Sequence, residues 1–284
     1  HAAHCGDVIV NHQAKHWNGG VEACPCGHPV ETRQHLFWEC PRWVAVRAGF
    51  LGGRSVESMT STLPKVTLEH GLPTYLPEVV EWRKSLPRAS NGEGRLPLMV
   101  YTDGSAMHPK DAHLRVVGWS IAWRKGAGAW TSTGGGVPGH QSAARAEIQA
   151  LIQACKLASG PCLTTSDCKA AVLGFRAVQS THSPPKHLAK SNSADLWRDL
   201  LSALDLAPRV AVRWMPSHCT KEELIARGGS EEDWDGNDQA DQRAKLEARV
   251  FCPPANLVKA RAQQLEKEAA AMRIISEVQC RELS

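Results

Sequence analysis

Apolar and polar positions change period in the middle of the chain, and this change predicts an α/β domain. The run Leu98–Tyr101 is apolar and is followed by Thr-Asp-Gly-Ser, as at the end of a buried central strand. Positions 117–123 alternate between large apolar and smaller or polar residues, which predicts a half-buried strand, and 127–133 predicts its hairpin partner. From Ser142 the spacing becomes helical, with Ser142 as the N-cap and Glu147 in the early turns.

The pattern continues in short segments up to residue 250. It predicts a strand over 163–166, a helix over 169–177, a loop over 180–192, a helix over 194–206, a strand over 210–214 and a helix over 238–250. The element order is three consecutive strands, then helix, strand, helices, strand and helix. This order indicates an α/β domain whose mixed five-stranded sheet extends an antiparallel meander with parallel strands.

The segments on either side of this domain have other patterns. Residues 1–50 are rich in Cys, His and Trp, whereas 51–95 combine Gly, Pro, Ser and Thr with little periodicity, which predicts a linker or a loose packing arm. Residues 251–284 carry apolar positions at helical spacing, which predicts a long amphipathic helix that packs on the domain or on a partner. The domain itself occupies residues 96–250.

Composition limits the class of protein. The 284 residues are 42% hydrophobic and 22% charged, as expected of a soluble chain with one large domain and something smaller, and the net charge of +4 is compatible with a nucleic-acid partner. No apolar run approaches the ~20 residues that span a bilayer, so we expect no membrane partner. Single cysteines are scattered among the regular segments, which favours a reducing intracellular compartment, the nucleus or the cytoplasm. They are Cys155, Cys162, Cys168 and Cys219.

Four acidic residues stand at the edges of apolar segments: Asp103, Glu147, Asp167 and Asp241. A carboxylate at such a position costs free energy unless something compensates its charge. A cluster of carboxylates cannot ionise fully unless cations bind between them. Because Asp103 and Asp167 both follow predicted strands, we expect the four side chains to converge at the strand ends, where ligands gather in open α/β sheets. The pattern predicts a two-metal site for phosphoryl transfer.

Five motifs in this order resemble the ribonuclease H family over residues 96–250. They are Tyr-Thr-Asp-Gly-Ser at 101–105, Arg-Ala-Glu at 145–147, Ser-Asp-Cys-Lys-Ala-Ala at 166–171, Trp-Met-Pro-Ser-His at 214–218 and Gly-Asn-Asp-Gln-Ala-Asp at 236–241. The resemblance implies the three-layer ribonuclease H-like fold. It also implies a metal-dependent endoribonuclease that cuts the RNA strand of RNA–DNA hybrids.

The resemblance gives each site residue a role. Asp103 is implied to be shared by two Mg²⁺ ions, which Mn²⁺ can replace, and Glu147, Asp167 and Asp241 to be their other ligands. His218 matches a mobile histidine, which shuttles a proton or eases product release. Substrate contacts are implied for five further residues: Gly104, Ser105, Gln141, Ser142 and Asn237.

Two segments depart from the cellular members of the family. An Asn-rich stretch before the glutamate is replaced by Gln-Ser-Ala-Ala at 141–144, so recognition of RNA 2′-hydroxyls falls to Gln141, Ser142 or the backbone. The segment between 218 and 241 is long and charged, as in domains from non-LTR retrotransposons. Two alternatives stay open: a DNA-acting relative with the same fold, and a catalytically inactive nucleic-acid-binding module.

The N-terminal cysteines resemble the zinc-binding segment that follows the reverse transcriptase in non-LTR retrotransposon polyproteins. Cys24, Cys26, His35 and Cys40 are the predicted ligands of a structural Zn²⁺, because three thiolates and one imidazole suit a tetrahedral site, and His28 competes as a ligand. The chain begins with His1 rather than Met. We therefore interpret it as the C-terminal part, or a relic, of a retroelement polyprotein, linked upstream to a reverse transcriptase.

Overall fold

The computed structural model describes residues 10, 13, 21–86, 92, 95–126, 128–207, 209–217 and 219–282. The chain divides into two units, each with its own core. One combines the residues up to Val80 with Pro254–Ser284, and the other is Glu81–Pro253. No helix in the described ranges is long and apolar enough to cross a membrane.

The first unit contains helices in the segment where the sequence predicts a linker or a loose packing arm. After short helical turns at His35–Glu39 and Pro41–Trp43 come α1 (Val44–Leu51), α2 (Val56–Thr60), α3 (Lys65–His70) and α4 (Pro77–Ser85), whose last residues lie in the second unit. The residues that indicate loops here mark helix starts: Ser55 caps α2, Pro64 precedes α3 and Pro77 opens α4. Such short helices show too few turns for their periodicity to be visible.

The second unit is built on a five-stranded sheet. β1 (Met99–Met107), β2 (Val116–Lys125) and β3 (Ala129–Gly136) form the antiparallel meander. β4 (Cys162–Ser166) and β5 (Val210–Trp214) add in parallel, which gives the order β3-β2-β1-β4-β5. The predicted mixed sheet of five strands is confirmed.

Helices cover both faces of this sheet. In chain order they are α5 (Ala143–Leu157), α6 (Lys169–Thr181), α7 (Lys186–Ala189), α8 (Ala194–Leu206), α9 (Lys221–Ala226) and α10 (Glu231–Val250). Successive strand residues point to opposite faces. Val100 and Ile121 therefore lie in the core under α5, α6 and α8, while Tyr101 and Ala122 lie in the smaller core under α10. The three-layer α/β arrangement is confirmed.

Two helical boundaries differ from the prediction. α7 lies within the predicted loop over 180–192, and α10 begins at Glu231 rather than at 238. Ser230 and Asp233 form a capping box that satisfies the first free N–H groups of α10. The charged segment before residue 238 is therefore largely helical, because its acidic residues occupy first turns, where the helix dipole favours them.

The C-terminal helix α11 (Ala255–Glu282) packs on the N-terminal segment within the first unit. Its side chains Ile274 and Ile275 share one core with Leu36, Phe37 and Trp38. Ion pairs from Arg42 to Glu282 and from Arg54 to Glu266 join the same elements at the surface. The predicted amphipathic helix is confirmed, and its apolar face is covered by this chain.

Candidate active site

Gly104 lets helix α5 lie directly against strand β1. A Cβ atom at Gly104 would stand 2.4 Å from the backbone nitrogen of Glu147, closer than non-bonded atoms approach. Ala146 and Ala150 are fully buried on the same helix, and their small side chains allow the close packing. Ser142 caps α5 by accepting a hydrogen bond from the backbone N–H of Arg145, as predicted. The backbone thus delivers Glu147 to the side of Asp103.

Asp103 and Asp167 each directly follow the last residue pair of the parallel pairing between β1 and β4. Asp103 lies inside β1, not just past its end as predicted, because β1 continues to Met107 along β2 alone. The parallel pairing of β1 with β4 ends at Thr102 and Ser166, one residue before each acid. Asp167 follows the end of β4, as predicted.

Three carboxylates meet at this point. Oxygens of Asp103, Glu147 and Asp167 all lie within 4.8 Å of one another, with Asp103 6% exposed, Glu147 8% exposed and Asp167 half-buried. Burial and the charges of Asp167 and Asp241 raise the pKa of Asp103 to about 7. Burial and the charges of Asp103 and Asp167 raise the pKa of Glu147 well above its usual range. Without a cation between them, the three carboxylates therefore do not all ionise at neutral pH.

The oxygen donors around this cluster suit a hard divalent cation. Glu147 Oε2 and Asn237 Oδ1 are buried and have no hydrogen-bond partner among the described residues. Both residues line the same cavity of about 440 Å³, together with Asp103, Gly104 and Asp167. Carboxylate and amide oxygens are preferred ligands of Mg²⁺, and a bound cation would satisfy acceptors that the protein leaves open.

Asp241 lines this cavity from α10 but stands outside the group of three. Its Oδ2 accepts a hydrogen bond from the Lys245 ammonium one turn along the helix, and this bond raises the pKa of Lys245. Asp238 and Lys245 also line the cavity, although the sequence analysis missed both. Their three- and four-residue spacing from Asp241 on a helix was the available signal.

The N-terminal end of α10 is held to the sheet by a buried acid. Asp233 accepts hydrogen bonds from Tyr101 Oη and from the Arg213 guanidinium, besides its part in the capping box. Burial and the charge of Asp233 raise the pKa of Tyr101. Because the three residues come from α10, β1 and β5, they fix the helix that carries Asn237 and Asp241 against the strand ends.

The predicted substrate residues are in different environments. Gly104 and Asn237 line the cavity, while Ser105 follows on β1 and Ser142 serves as the cap of α5. The Gln141 side chain is occupied by main-chain groups: it accepts from Val117 N and donates to the carbonyl oxygens of residues 137 and 139. His218 lies outside the described residues.

The predicted zinc ligands come together in the first unit. One ligand atom each from Cys24, Cys26, His35 and Cys40 lies within 4.8 Å of all the others. The Cys24 and Cys40 sulfurs are 3.8 Å apart, and Cys26 Sγ is 3.2 Å from His35 Nε2. Tetrahedral Zn–S bonds of about 2.3 Å separate two sulfurs by about 3.8 Å, so the cluster fits this ion.

A tight turn explains how Cys24 and Cys26 face the same point. The Gly27 N–H donates to Cys24 O, the Cys24 N–H donates to His28 O, and Gly27 adopts a φ of +96° that favours glycine. The rival ligand His28 is outside the cluster. Its ring stacks on that of His35, and its Nδ1 lies 2.7 Å from Val30 O.

Comparison with known structures gives weak global similarity. The PFV RNase H domain in solution is 23% identical at a TM-score of 0.38, covering 57% of this chain and 97% of that one. A foamy viral protease-reverse transcriptase in complex with dsDNA is 22% identical at 0.36, covering 55% and 99%. Another, in complex with RNA/DNA hybrid, is 20% identical at 0.36, covering 66% of this chain and 24% of that one.

Sequence comparison is more decisive. No curated protein sequence matches the chain. The sequence profile of the RNase H family matches residues 96–249, the range that contains the five strands, α5, all but the last residue of α10, and the carboxylate cluster. The chain therefore belongs to the RNase H family.

Proposed function

We propose that this protein is a metal-dependent endoribonuclease that hydrolyses the RNA strand of RNA–DNA hybrids. The observation that carries the proposal is the convergence of Asp103, Glu147 and Asp167 within 4.8 Å at the end of the parallel strands. Membership of the RNase H family supports it. The raised pKa values of Asp103 and Glu147 support it too, since they mark acids that need a cation in order to ionise together.

The proposed ligands are the carboxylates that line the cavity. Asp103, Glu147, Asp167 and Asp241 line the cavity and would hold the ions, with Asp103 as the shared ligand that the family resemblance implies. Mg²⁺, or Mn²⁺ in its place, would supply activation of the attacking water and stabilisation of the departing 3′ oxygen. The Lys245 ammonium forms an ion pair with Asp241 at the cavity wall. His218 is the proposed proton shuttle.

We assign recognition of the RNA strand to fewer residues than the sequence analysis suggests. The Gln141 amide is already bonded to three main-chain groups and would have to break these bonds to reach a ribose. We propose that the 2′-hydroxyl is recognised instead by the backbone at Gly104 and Ser105. The Asn237 side chain, whose Oδ1 has no partner among the described residues, takes part from the cavity wall.

We further propose that Cys24, Cys26, His35 and Cys40 bind a structural Zn²⁺, because their ligand atoms lie together and three thiolates with one imidazole suit a tetrahedral site. The resemblance of this segment to the zinc-binding segment of non-LTR retrotransposon polyproteins supports an origin in such a polyprotein, with a reverse transcriptase upstream. The free cysteines in both units support a reducing compartment, the nucleus or the cytoplasm.

A single assay tests the activity. Labelled RNA–DNA hybrid, duplex DNA and duplex RNA are incubated with the full chain, with and without Mg²⁺, and resolved on a gel. We expect Mg²⁺-dependent cleavage of the hybrid alone, lost in D103N and kept in D205N, a matched change at an exposed acid of α8. Cleavage of duplex DNA instead would favour the DNA-acting alternative. Binding of the hybrid without any cleavage would favour the inactive module.

A further inference from the structure

Trp214 ends strand β5 beside the carboxylate cavity. Its side chain is 40% exposed, whereas the residues that follow it, Met215 and Pro216, line the cavity wall. The indole Nε1–H donates a 3.0 Å hydrogen bond to the main-chain carbonyl of Asp167. An exposed aromatic ring is thus joined directly to the backbone of a proposed metal ligand.

Hydrogen bonds from residues just after β4 and β5 hold the turn that carries Asp167. The Met215 N–H donates to Ser166 O at 3.0 Å, and the Cys168 N–H donates to Ser166 Oγ at 3.1 Å. The bond from Trp214 reaches Asp167 itself and comes from a side chain. Asp167 is half-buried, so hydrogen bonds to its turn contribute to its placement.

Lys169 adds a cation on the same rim. Its ammonium lies 5.4 Å from the centroid of the Trp214 ring, within the range of a cation–π contact, and its side chain is exposed. An aromatic face beside a cation is the combination that proteins use to hold nucleic-acid strands, since bases stack on the ring and phosphates pair with the charge.

The cavity is too small to enclose the substrate, so the substrate has to contact its rim. A space of about 440 Å³ is small beside a nucleic-acid duplex, so a strand whose phosphate reaches the carboxylates has to lie across the rim. Asp167, Cys168 and Met215 line the cavity on the side of β4 and β5, and Lys169 and Trp214 are their immediate neighbours along the chain. A strand in this position meets Trp214 and Lys169 next to the reacting phosphate.

We propose that Trp214 is a positioning residue that links strand binding to the metal site. With Lys169 it contacts the nucleic-acid strand beside the cavity, and through its indole N–H it fixes Asp167 for metal binding. The identity of the strand as part of an RNA–DNA hybrid rests on the proposed function; the contact and the hydrogen bond do not.

The test separates the two roles of the ring. W214F keeps an aromatic face but removes the N–H donor, W214L removes both, and K169M removes the cation. Controls are W82F, at a half-buried tryptophan of α4, and K156M, at an exposed lysine of α5. Binding of labelled RNA–DNA hybrid is measured by fluorescence anisotropy in EDTA, and Mn²⁺ binding by calorimetry without nucleic acid.

We expect W214L to weaken hybrid binding about 5- to 150-fold, the usual range for loss of one base–aromatic stack. W214F should bind the hybrid within about threefold of wild type but bind Mn²⁺ about 2- to 12-fold more weakly, since one hydrogen bond to the ligand turn is lost. K169M should weaken hybrid binding and lower the salt slope by about one. W82F and K156M should match wild type in both measurements.

Wild-type hybrid affinity in W214L overturns the strand contact, and wild-type Mn²⁺ affinity in W214F overturns the positioning role. If W214L fails to fold by circular dichroism, the salt slope of K169M decides the first point. If the wild-type chain binds the hybrid but cuts nothing, the ribonuclease proposal is wrong, but the binding measurements on the Trp214 and Lys169 variants still test this inference. A wild-type chain that cuts, with Trp214 variants that match it in both measurements, ends this inference alone. A wild-type chain that binds no hybrid overturns the ribonuclease proposal and the strand contact, while the Mn²⁺ affinity of W214F still decides the positioning role.

Discussion

The fold holds Asp103 and Glu147 where burial and neighbouring charges disfavour their ionised forms. Both are buried beside each other and beside Asp167, and one oxygen of Glu147 lacks a partner among the described residues. In a protein core this arrangement would be a defect, because unpaired buried carboxylates cost several kcal/mol. At the strand ends of an RNase H domain it concentrates negative potential where a divalent cation can enter.

Substitution of single residues should distinguish ligands from proton carriers. D103N replaces a proposed metal ligand, so we expect hybrid cleavage to fall to background while hybrid binding in EDTA stays near wild type. H218A should slow cleavage by ~10²–10⁴-fold without abolishing it, as for a general acid or base. Single-turnover rates and anisotropy on the same preparations measure both effects. Complete loss in both variants would mean that His218 is a ligand or is needed for folding.

The raised pKa values predict how stability depends on pH. Between the usual value of 3.8 and about 7, folded Asp103 holds a proton that the unfolded chain releases. The folded state binds more protons in this window, so the contribution of the cluster to the free energy of unfolding falls as pH rises through it. Without metal, we expect the thermal midpoint to drop between about pH 5 and about pH 8.

Metal should reverse this trend. If Mg²⁺ binds the ionised cluster as proposed, it should raise the thermal midpoint more at about pH 8 than at about pH 5. D103N removes one acid and should reduce both the pH dependence and the response to metal. Scanning calorimetry of wild type and D103N, with and without Mg²⁺, measures the difference. An equal Mg²⁺ response at the two pH values would contradict the raised pKa of the cluster.

At the scale of elements, the helices and strands that could be predicted are those whose own residues carry a sufficient hydrophobic pattern. α8 and β5 occupy the predicted ranges 194–206 and 210–214, because thirteen residues of amphipathic spacing and a short alternating run are each sufficient. The second half of β1 was missed, since Asp-Gly-Ser favours a turn and only pairing with β2 makes it a strand. The identities of the acids were visible in the motifs, but the Lys245 pairing and the main-chain bonds of Gln141 follow from tertiary structure.

The contact between β1 and α5 gives a prediction at this scale. G104A places a methyl group against the backbone of Ala146 and Glu147, so the helix must move away from the strand. We expect a loss of about 1–3 kcal/mol in the free energy of unfolding, typical of overpacking, together with loss of cleavage because Glu147 is displaced. Urea unfolding measures the first effect, and the hybrid gel assay measures the second.

Gly160 provides the matched control, because a Cβ there meets no atom within 4 Å. G160A should leave stability and cleavage close to wild type. If G104A also unfolds at the wild-type urea concentration and cleaves the hybrid normally, close approach of helix and strand does not position Glu147.

At the scale of the whole molecule, the ends of the chain form one unit and the RNase H domain is the segment between them. Residues up to Val80 and from Pro254 share a core that includes Trp38, Ile274 and Val278. The Cys24–Cys40 cluster is built on the same segment as Leu36, Phe37 and Trp38. Anything that stabilises this cluster should therefore also stabilise α11, although more than 200 residues separate them along the chain.

Removal of zinc should test this connection. If Cys24, Cys26, His35 and Cys40 hold Zn²⁺, binding supplies folding free energy, and a strong chelator should release it. We expect amide hydrogen exchange to increase over residues 24–40 and over 271–278 of α11 together, while β1–β5 keep their protection because the second unit has its own core.

C40S should behave like the chelator, whereas H28A should keep the zinc stoichiometry of wild type. A purified chain without zinc would remove the metal site and much of the support for a retroelement origin, but the nuclease proposal would stand on its carboxylates. Exchange that rises at 24–40 but not in α11 would show that the shared core holds this helix without the metal.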